Sequence, residues 1–333
     1  MLTTGVNYPW HHYGGDFGPT VWGARHGIVS THAEVTADLH AMAAAGVELV
    51  RWFVFTDARS GIAIDERGWP TGLLDGTLDD LDALCVLALD AGVRLVPVLF
   101  DHTLAFHATE AAGARVGGHR AWLADPEGQS RVLDAIVAPL ARRYGARGSH
   151  GQLGQAIFAW DLINEPDWLV TELYPASRAR PMPFEVLAAW IRDAAGELRR
   201  HDAGQVTVGG ARLRFAPWWD DPRLGLDFLQ AHAYYDPSHD LDVVQTPHAA
   251  LGLTRPLVLG EYSAQGDPAD AGAGRPPMDA VQVAAAAMAG GYEGAWPWSW
   301  RGVDAHGPIG ALAMRAVADV TRQARAERGL SAP

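Results

Sequence analysis

The sequence predicts an α/β fold, a single (β/α)8 TIM barrel that extends over residues 1–333 as one domain. Short apolar or β-branched segments recur along the chain, and a longer stretch with helical spacing follows each of them. The length of 333 residues, 48% of them hydrophobic, lies within the usual range for one barrel domain. Repeated βα units form a parallel sheet, and eight of them can close into a barrel.

Eight segments qualify as the strands. In chain order they are Gly5–Trp10, Leu49–Phe55, Arg94–Asp101, Ile157–Glu165, Val206–Arg212, Phe228–Tyr234, Leu257–Tyr262 and Gly294–Trp300. Glycines such as Gly46 and Gly92 precede several of them, where a helix must end before the next strand begins. The clearest amphipathic helices between the strands are Ala33–Ala45, Leu78–Ala91 and Phe184–Leu198.

Two long connections interrupt this pattern, at about residues 102–128 after the third strand and 264–278 after the seventh. Loops of this length in a barrel domain are usually functional. Both follow the carboxyl end of a strand, so the sequence predicts that both border the active site on the same face of the barrel.

Composition and charge exclude several classes of function. The 39 acidic residues exceed the 26 basic ones, a balance that repels phosphate backbones and anionic membranes, so neither nucleic acid nor membrane is an expected partner.

We expect a cytoplasmic protein, because the chain has neither an apolar run of about 20 residues nor an N-terminal leader, although a secreted protein trimmed of its leader would give the same sequence. The single cysteine, Cys85, excludes a disulfide framework and lies in a segment predicted to be a buried helix. The oligomeric state is left open.

Two glutamates close hydrophobic strands, at the barrel face where active sites lie. Asn164-Glu165-Pro166 ends the fourth strand, and Glu261 follows the apolar run Leu257–Gly260 of the seventh. Three βα units separate them, which places the two side chains nearly opposite each other across the barrel mouth. Desolvation there favours the neutral form of Glu165, suiting it to act as a general acid. Two carboxylates about 5–5.5 Å apart would define a retaining glycosidase.

Four strand ends together resemble a known group of enzymes. They are Asn164-Glu165-Pro166, His232-Ala233-Tyr234, Gly260-Glu261-Tyr262 and Trp298-Ser299-Trp300. In this order they are similar to the strand ends of the clan A glycoside hydrolases, and to family five, the cellulases and mannanases, in particular. With the arginine of the second strand, the resemblance covers nearly the whole barrel.

The resemblance implies a role for each matching residue. Glu165 would be the acid/base and Glu261 the nucleophile, while Asn164 would bond the sugar hydroxyl next to the reacting carbon. Arg51 would orient Glu261 and keep it ionised, since a nearby cation lowers a carboxylate pKa. Tyr234 would donate a hydrogen bond to Glu261.

Further positions follow from the resemblance or from placement at strand ends. His232 would line the wall, and Trp298 would form the platform beneath the sugar, with a cis peptide at Trp298-Ser299. Trp296, Trp298 and Trp300 share one side of a regular strand and cannot all fill the barrel, so the alternation must break. Other candidates for contact with sugar are Asn7, Trp10, His11, Asp101 and His102. Trp168, Trp218 and Trp219 could form walls for a leaving group.

These residues predict a retaining β-glycoside hydrolase that cleaves a small β-linked oligosaccharide or glycoside from the end of the sugar chain. We expect it to need neither a cofactor nor a metal. A transglycosylase would use the same residues, and a non-catalytic sugar-binding barrel would need no charged nucleophile with supporting groups. A metal-dependent barrel hydrolase, suggested by 14 histidines, requires a His-x-His or His-Glu-x-x-His motif, and neither is present. The sugar, the linkage and the choice of pyranose or furanose are open.

Overall fold

Eight parallel strands close into one barrel in a computed structural model that describes residues 2–175, 180–234, 240–266 and 277–330. The strands are β1 Thr3–Asn7, β2 Leu49–Phe53, β3 Arg94–Asp101, β4 Ala159–Asn164, β5 Gln205–Gly210, β6 Leu229–Ala233, β7 Leu257–Ser263 and β8 Gly294–Trp298. Each pairs with its neighbour in sequence, and β8 closes on β1. The predicted fold class and all eight predicted strands are confirmed, with differences only at strand ends. Their nearly unbroken apolar character reflects burial on both faces.

Helices surround the barrel. The α-helices are His32–Ala44, Thr77–Ala91, Ala121–Ala124, Pro126–Val132, Ala138–Tyr144, Gly151–Gly154, Phe184–Arg200, Ala216–Trp219, Ala280–Ala289 and Gly310–Glu327, with a π-helical turn at Leu133–Val137. Short 3₁₀ helices are His102–Ala105, Pro166–Leu169, Leu213–Phe215, Pro222–Leu224 and His248–Leu251. Over the described part of the chain, none of these helices is long and apolar enough to cross a membrane.

Two of the eight units differ from the predicted pattern. Between β5 and β6, and between β6 and β7, the described residues contain only helical turns of three or four residues. The barrel wall is therefore covered on this side by short turns instead of long helices.

The prediction of a long loop at 102–128 was wrong in detail. The segment holds a 3₁₀ helix, an antiparallel hairpin of Thr109–Ala111 with Ala114–Val116, and the first helical turns of the third unit. A similar hairpin, Ile62–Ile64 with Pro70–Leu73, follows β2. Most of the predicted loop at 264–278 lies outside the described residues, which stop at 266 and resume at 277.

The interior of the barrel is layered. An apolar cluster that includes Leu49, Val96, Phe158 and Trp296 fills the end where the strands begin. Gly5 leaves room for the Trp296 ring, which would lie 2.4 Å from any Cβ at that position. The interior above this cluster is polar, and an aromatic cluster of Phe53, Val98 and Trp298 lies at the carboxyl ends of the strands.

The three tryptophans of the eighth strand take three separate places, as the sequence analysis required. Trp296 lies in the lower cluster, Trp298 in the upper one, and Trp300 packs against the outer core beyond the end of β8. The predicted cis peptide at Trp298-Ser299 is present. A single strand thereby supplies both the barrel core and the upper aromatic layer.

Candidate active site

A cavity of about 270 Å³ opens at the carboxyl ends of the strands. Seven of the predicted site residues line it, namely Trp10, Asp101, Asn164, Glu165, Tyr234, Glu261 and Trp298. The others that line it are Tyr13, Phe53, Thr56, Thr103, Asp304 and His306. This volume lies just below the roughly 300–1,000 Å³ that is typical of ligand pockets.

Glu165 and Glu261 face each other in this cavity. A carboxylate oxygen of Glu165, one of Glu261 and a ring nitrogen of His232 all lie within 4.8 Å of one another. Glu165 directly follows β4 in the left-handed conformation (φ 50°), and its amide donates to the Gly209 carbonyl at 2.6 Å. The turn directs its side chain into the barrel mouth, towards β7.

Arg51 links the carboxylates beneath the cavity. Its guanidinium is fully buried, and Nη1 donates to Glu261 Oε1 at 2.5 Å and to Asn7 Oδ1 at 3.0 Å. Nε donates to Asp161 Oδ2 at 2.9 Å, and Nη2 donates to Asn164 Oδ1 at 2.7 Å. A planar guanidinium with five donors suits this arrangement, which a flexible ammonium could not reproduce. Arg51 thus orients residues on β1, β4 and β7 together.

Asn7 supports the site from below and does not line the cavity as a sugar-contacting residue. Its side chain is fully buried, and Nδ2 donates to the carbonyls of Gly260 and Trp296 at 2.8 and 3.0 Å. Since its Oδ1 accepts from Arg51, both ends of the amide are used within the protein. Its function here is to hold Arg51 against β7 and β8.

His232 lies between the two glutamates. Its Nδ1 atom is 3.1 Å from Glu165 Oε1 and 3.5 Å from Glu261 Oε2, and the ring is completely buried. Tyr234, two residues further along, donates its hydroxyl to Glu261 Oε2 at 2.9 Å, as the resemblance implied. Glu261 therefore has a donor on each oxygen, which limits its rotation.

His102 approaches Glu165 from β3. Its Nδ1 atom lies 3.3 Å from Asp101 Oδ2 and 3.7 Å from Glu165 Oε2. Burial lowers the pKa of His102, but the charges of Asp101 and Glu165 outweigh it and raise the pKa to about 9. Asp101 also accepts from Asn164 Nδ2 at 2.7 Å, so it fixes the amide from the side opposite Arg51. His102 is a cation at neutral pH.

The pKa shifts of the two glutamates are opposite to those expected from the sequence. Burial raises the pKa of Glu165, but the hydrogen bond from His232 and the charge of His102 outweigh burial, so that the net direction is down. Burial also raises the pKa of Glu261, and His232 and Arg51 only partly offset it. Arg51 divides its charge between Glu261 and the buried Asp161, which weakens its effect on the nucleophile.

Trp298 forms one wall of the cavity. It packs edge-to-face with Phe53 and Trp10, at ring-centroid distances of 5.9 and 6.2 Å. Its indole nitrogen donates to Asp304 Oδ2 at 2.9 Å, and Asp304 Oδ1 accepts from the His306 amide at 2.8 Å. The segment after β8 thus holds the indole and adds a carboxylate beside it.

The tryptophans expected as leaving-group walls have other places. Trp219 is buried and donates to Asp167, and Trp218 packs edge-on against Phe184 with 40% of its surface exposed. Neither lines the cavity. Trp168 donates its indole N–H to Glu165 Oε2 at 3.0 Å. His11 also lies outside the lining, with Nδ1 2.9 Å from the Tyr8 hydroxyl.

The sequence analysis missed several residues of the site, including Tyr13, Phe53, Thr56 and Thr103 in the cavity lining. Asp161 carried a signal, because an acidic residue inside an apolar strand needs a buried partner, here Arg51. Asp304 and His306 carried no such sequence signal, because they follow β8 in a segment with no hydrophobic periodicity. They line the cavity only because the backbone after β8 turns towards it.

A metal ion is a chemically possible occupant of this cluster. Within the described residues, Glu165, His232 and Glu261 are the group whose ligand atoms come close enough to hold one. Arg51 at 2.5 Å from Glu261 and the cationic His102 near Glu165 oppose a further positive charge. The electrostatics favour a pair of catalytic carboxylates over a metal centre.

No protein-family model and no curated protein sequence matches the chain. The barrel is similar to many solved structures, including the following three. The first is the β-mannanase of the blue mussel Mytilus edulis, with a TM-score of 0.75 and 18% sequence identity over 96% of this chain and 92% of the mannanase. The second is an exo-β-1,4-mannosidase from an Opitutaceae bacterium, with a TM-score of 0.64 and 17% identity over 100% of this chain and 61% of the mannosidase. The third is a GH5_18 protein of Streptomyces cattleya in complex with Manβ1-4GlcNAc, with a TM-score of 0.62 and 17% identity over 100% of this chain and 83% of that protein. At these identities the likeness shows the (β/α)8 fold.

Proposed function

We propose that the protein is a retaining β-glycoside hydrolase with Glu165 as acid/base and Glu261 as nucleophile. The convergence of the two glutamates carries the proposal, since oxygens of the two side chains lie within 4.8 Å. Retaining enzymes place their carboxyl groups about 5–5.5 Å apart, whereas inverting enzymes leave about 6.5–9.5 Å for a water molecule. The second oxygen of Glu261 is held by Tyr234 and the first by Arg51, which leaves the carboxylate aimed into the cavity.

In the first step Glu261 attacks the anomeric carbon while Glu165 gives its proton to the departing oxygen. The bond from the anomeric carbon to the leaving oxygen breaks as the bond to Glu261 forms, and the aglycone leaves as an alcohol. Asn164 lines the cavity. One N–H of its Nδ2 is donated to Asp101, and the second can bond the hydroxyl next to the reacting carbon, a contact that strengthens in the transition state.

In the second step Glu165 acts as a base. Formation of the ester removes the negative charge of Glu261, and loss of a like charge nearby favours the ionised form of a carboxyl group. The pKa of Glu165 then falls further, so that it can take a proton from water. The water oxygen bonds to the anomeric carbon, the ester breaks, and both glutamates return to their starting state with the β configuration retained.

For the substrate we propose a small β-mannoside cleaved from its non-reducing end. The solved structures with this fold named above are a mannanase, an exo-mannosidase and a protein bound to a mannose-containing disaccharide. The cavity of about 270 Å³ suits a single reacting sugar better than an extended chain. Asp304, fixed at the indole edge of Trp298, has acceptor positions left for the hydroxyls of a terminal sugar. No cofactor enters this chemistry.

The proposal is tested with a panel of aryl β-glycosides that includes mannosides, glucosides and galactosides. The variants are Glu165→Gln and Glu261→Gln, with Glu110→Gln on the exposed hairpin as a matched control. We expect release of one glycone by the wild type and by the control. General acid–base catalysis contributes about 10²–10⁴-fold, so Glu165→Gln should lose at least that much on substrates with poor leaving groups.

Two other outcomes would reassign the function. Accumulation of new glycosides when an acceptor sugar is added, in place of free sugar, would make the protein a transglycosylase with the same residues. Sugar binding without release of any aglycone, and unchanged binding in Glu261→Gln, would favour a non-catalytic sugar-binding barrel and contradict the proposal.

A further inference from the structure

Trp168 lies three residues after Glu165, on a 3₁₀ turn that begins directly after Glu165. Glu165 itself precedes the turn in the left-handed conformation (φ 50°). Pro166 begins the turn Pro166–Leu169, and the Trp168 amide donates to the Glu165 carbonyl at 3.2 Å. The local sequence therefore brings the indole back over the carboxylate, where its N–H meets Oε2 at 3.0 Å.

The turn that carries Trp168 is anchored. Asp167 is fully buried and accepts from the Ala211 amide and from the indole N–H of Trp219, which tie the turn to the segment after β5. Leu169 is buried as well, and its carbonyl accepts from the Met182 amide at 2.7 Å. The indole position is thus set by contacts independent of the cavity.

The Trp168 ring stacks with two other rings. Tyr174 lies at a centroid distance of 4.2 Å with an interplanar angle of 15°, and His102 lies at 6.2 Å with an angle of 29°. The close stack with Tyr174 takes up one face of the indole. Its remaining polar function is the N–H group, and that group points at Glu165.

We infer that Trp168 is a positioning residue that holds the acid/base Glu165 through its indole N–H, and not a platform for the leaving group. This inference rests on the proposed function. Glu165 then has one donor on each oxygen, His232 at Oε1 and Trp168 at Oε2. These two bonds fix the carboxyl plane, so the proton for the leaving group is delivered along one direction.

Loss of the Trp168 indole N–H should shift the pH dependence of activity in one direction. Other titratable groups facing Glu165 are His102 and Asp101 from β3, His232 and Tyr234 from β6, Glu261 from β7 and Asp167 within the turn. A donor to a carboxylate favours its charged form, so removal of the indole N–H raises the pKa of Glu165. The basic limb of the activity profile then moves to higher pH.

The experiment compares Trp168→Phe, which keeps a ring in the stack, with the wild type and with Trp218→Phe, an exposed tryptophan outside the cavity. Aryl and alkyl β-mannosides of graded leaving-group acidity are the probes. We expect kcat/KM of Trp168→Phe to fall about tenfold or more on alkyl mannosides and to change little on nitrophenyl mannosides, whose departure needs no proton. An equal fall on all leaving groups, or no fall, would overturn the inference.

A second measurement does not depend on turnover. In the ¹H–¹⁵N spectrum, the indole signal missing from Trp168→Phe identifies Trp168. We expect it to shift as Glu165 titrates at low pH and to lose this step in Glu165→Gln. A separate step from the stacked His102 remains in that variant, at a pH below about 9 because the charge of Glu165 is gone. An unchanged titration in Glu165→Gln would overturn the inference. If the wild type cleaves no glycoside, the proposed function fails, and this spectrum still decides whether Trp168 bonds Glu165.

Discussion

Arg51 Nη1 lies 2.5 Å from Glu261 Oε1, a contact between side chains of β2 and β7 made inside the barrel, where water is excluded. The arginine is shared, because it also bonds Asp161 with its Nε atom. Two buried carboxylates thus depend on one cation. Burial raises the pKa of the nucleophile, and the shared arginine offsets this only in part. Arg51 also orients the nucleophile, so the site and the barrel core depend on the same residue.

Replacement of this arginine should harm stability and activity at once. Arg51→Met leaves Asp161 and Glu261 without their cation, and removal of one partner from a buried pair costs about 3–5 kcal/mol of unfolding free energy. Urea denaturation measures this loss, with the exposed Arg67→Met as the control. A variant as stable as the wild type would contradict the role given to Arg51.

Gly209 should be irreplaceable by alanine for a steric reason. A Cβ at this position would lie 2.6 Å from Arg51 Nη2 and 3.2 Å from both Asn164 Oδ1 and His232 Nε2. We expect Gly209→Ala to displace Arg51 and to lower kcat by about 10²-fold, as misplacement of about 1 Å can do. Gly196→Ala, where a Cβ would meet nothing within 4 Å, is the control for kinetic assays. Normal kcat in Gly209→Ala would show that the guanidinium tolerates movement.

The charge of His102 should set the upper limit of the pH range for activity. Its pKa of about 9 keeps it cationic at neutral pH, and this charge lowers the pKa of Glu165. In His102→Asn the pKa of Glu165 rises, so Glu165 stays protonated to higher pH. The basic limb of kcat/KM should move up by about one unit, since a nearby opposite charge shifts a carboxyl pKa by about 1–3 units. His107→Asn, exposed on the same segment, should leave the limb in place, and a downward shift in His102→Asn would refute this assignment.

Asp304 should determine affinity for the terminal sugar. Asp304→Asn keeps the size of the side chain but removes its charge, and hydrogen bonds to charged groups contribute about 1.5–3 kcal/mol. On mannobiose we expect KM to rise about tenfold or more with little change in kcat. Steady-state kinetics measure both, with the surface variant Asp319→Asn as the control. An unchanged KM would place the terminal sugar away from Asp304.

The fold and much of the site were predictable from the sequence because they rest on local patterns. Parallel strands buried on both faces give continuous apolar runs, so β3 was predicted to the residue and β7 to within one residue. Glu165, Glu261, Tyr234 and Trp298 lie at or just beyond strand ends, where the barrel topology alone brings them together. Their presence in one cavity followed from strand order.

What could not be predicted depends on contacts between distant segments. Burial raises the pKa of Glu261 against the expected direction, and Arg51, which also pairs with Asp161, offsets it only in part. No sequence pattern reports how a buried charge is shared. The place of Trp168 depends on a 3₁₀ turn that Asp167 anchors to the segment after β5. Asp304 reaches the cavity through an irregular backbone path after β8.

The central claim is that Glu261 forms a covalent bond with the sugar, and mass spectrometry tests it most directly. The protein is incubated with a mannosyl fluoride in which fluorine replaces the hydroxyl next to the anomeric carbon, which slows release of the glycosyl-enzyme. The account predicts one added glycosyl mass on the peptide that contains Glu261, and none in Glu261→Gln. A label on another residue, or an unlabelled protein that releases sugar of inverted configuration, would contradict it.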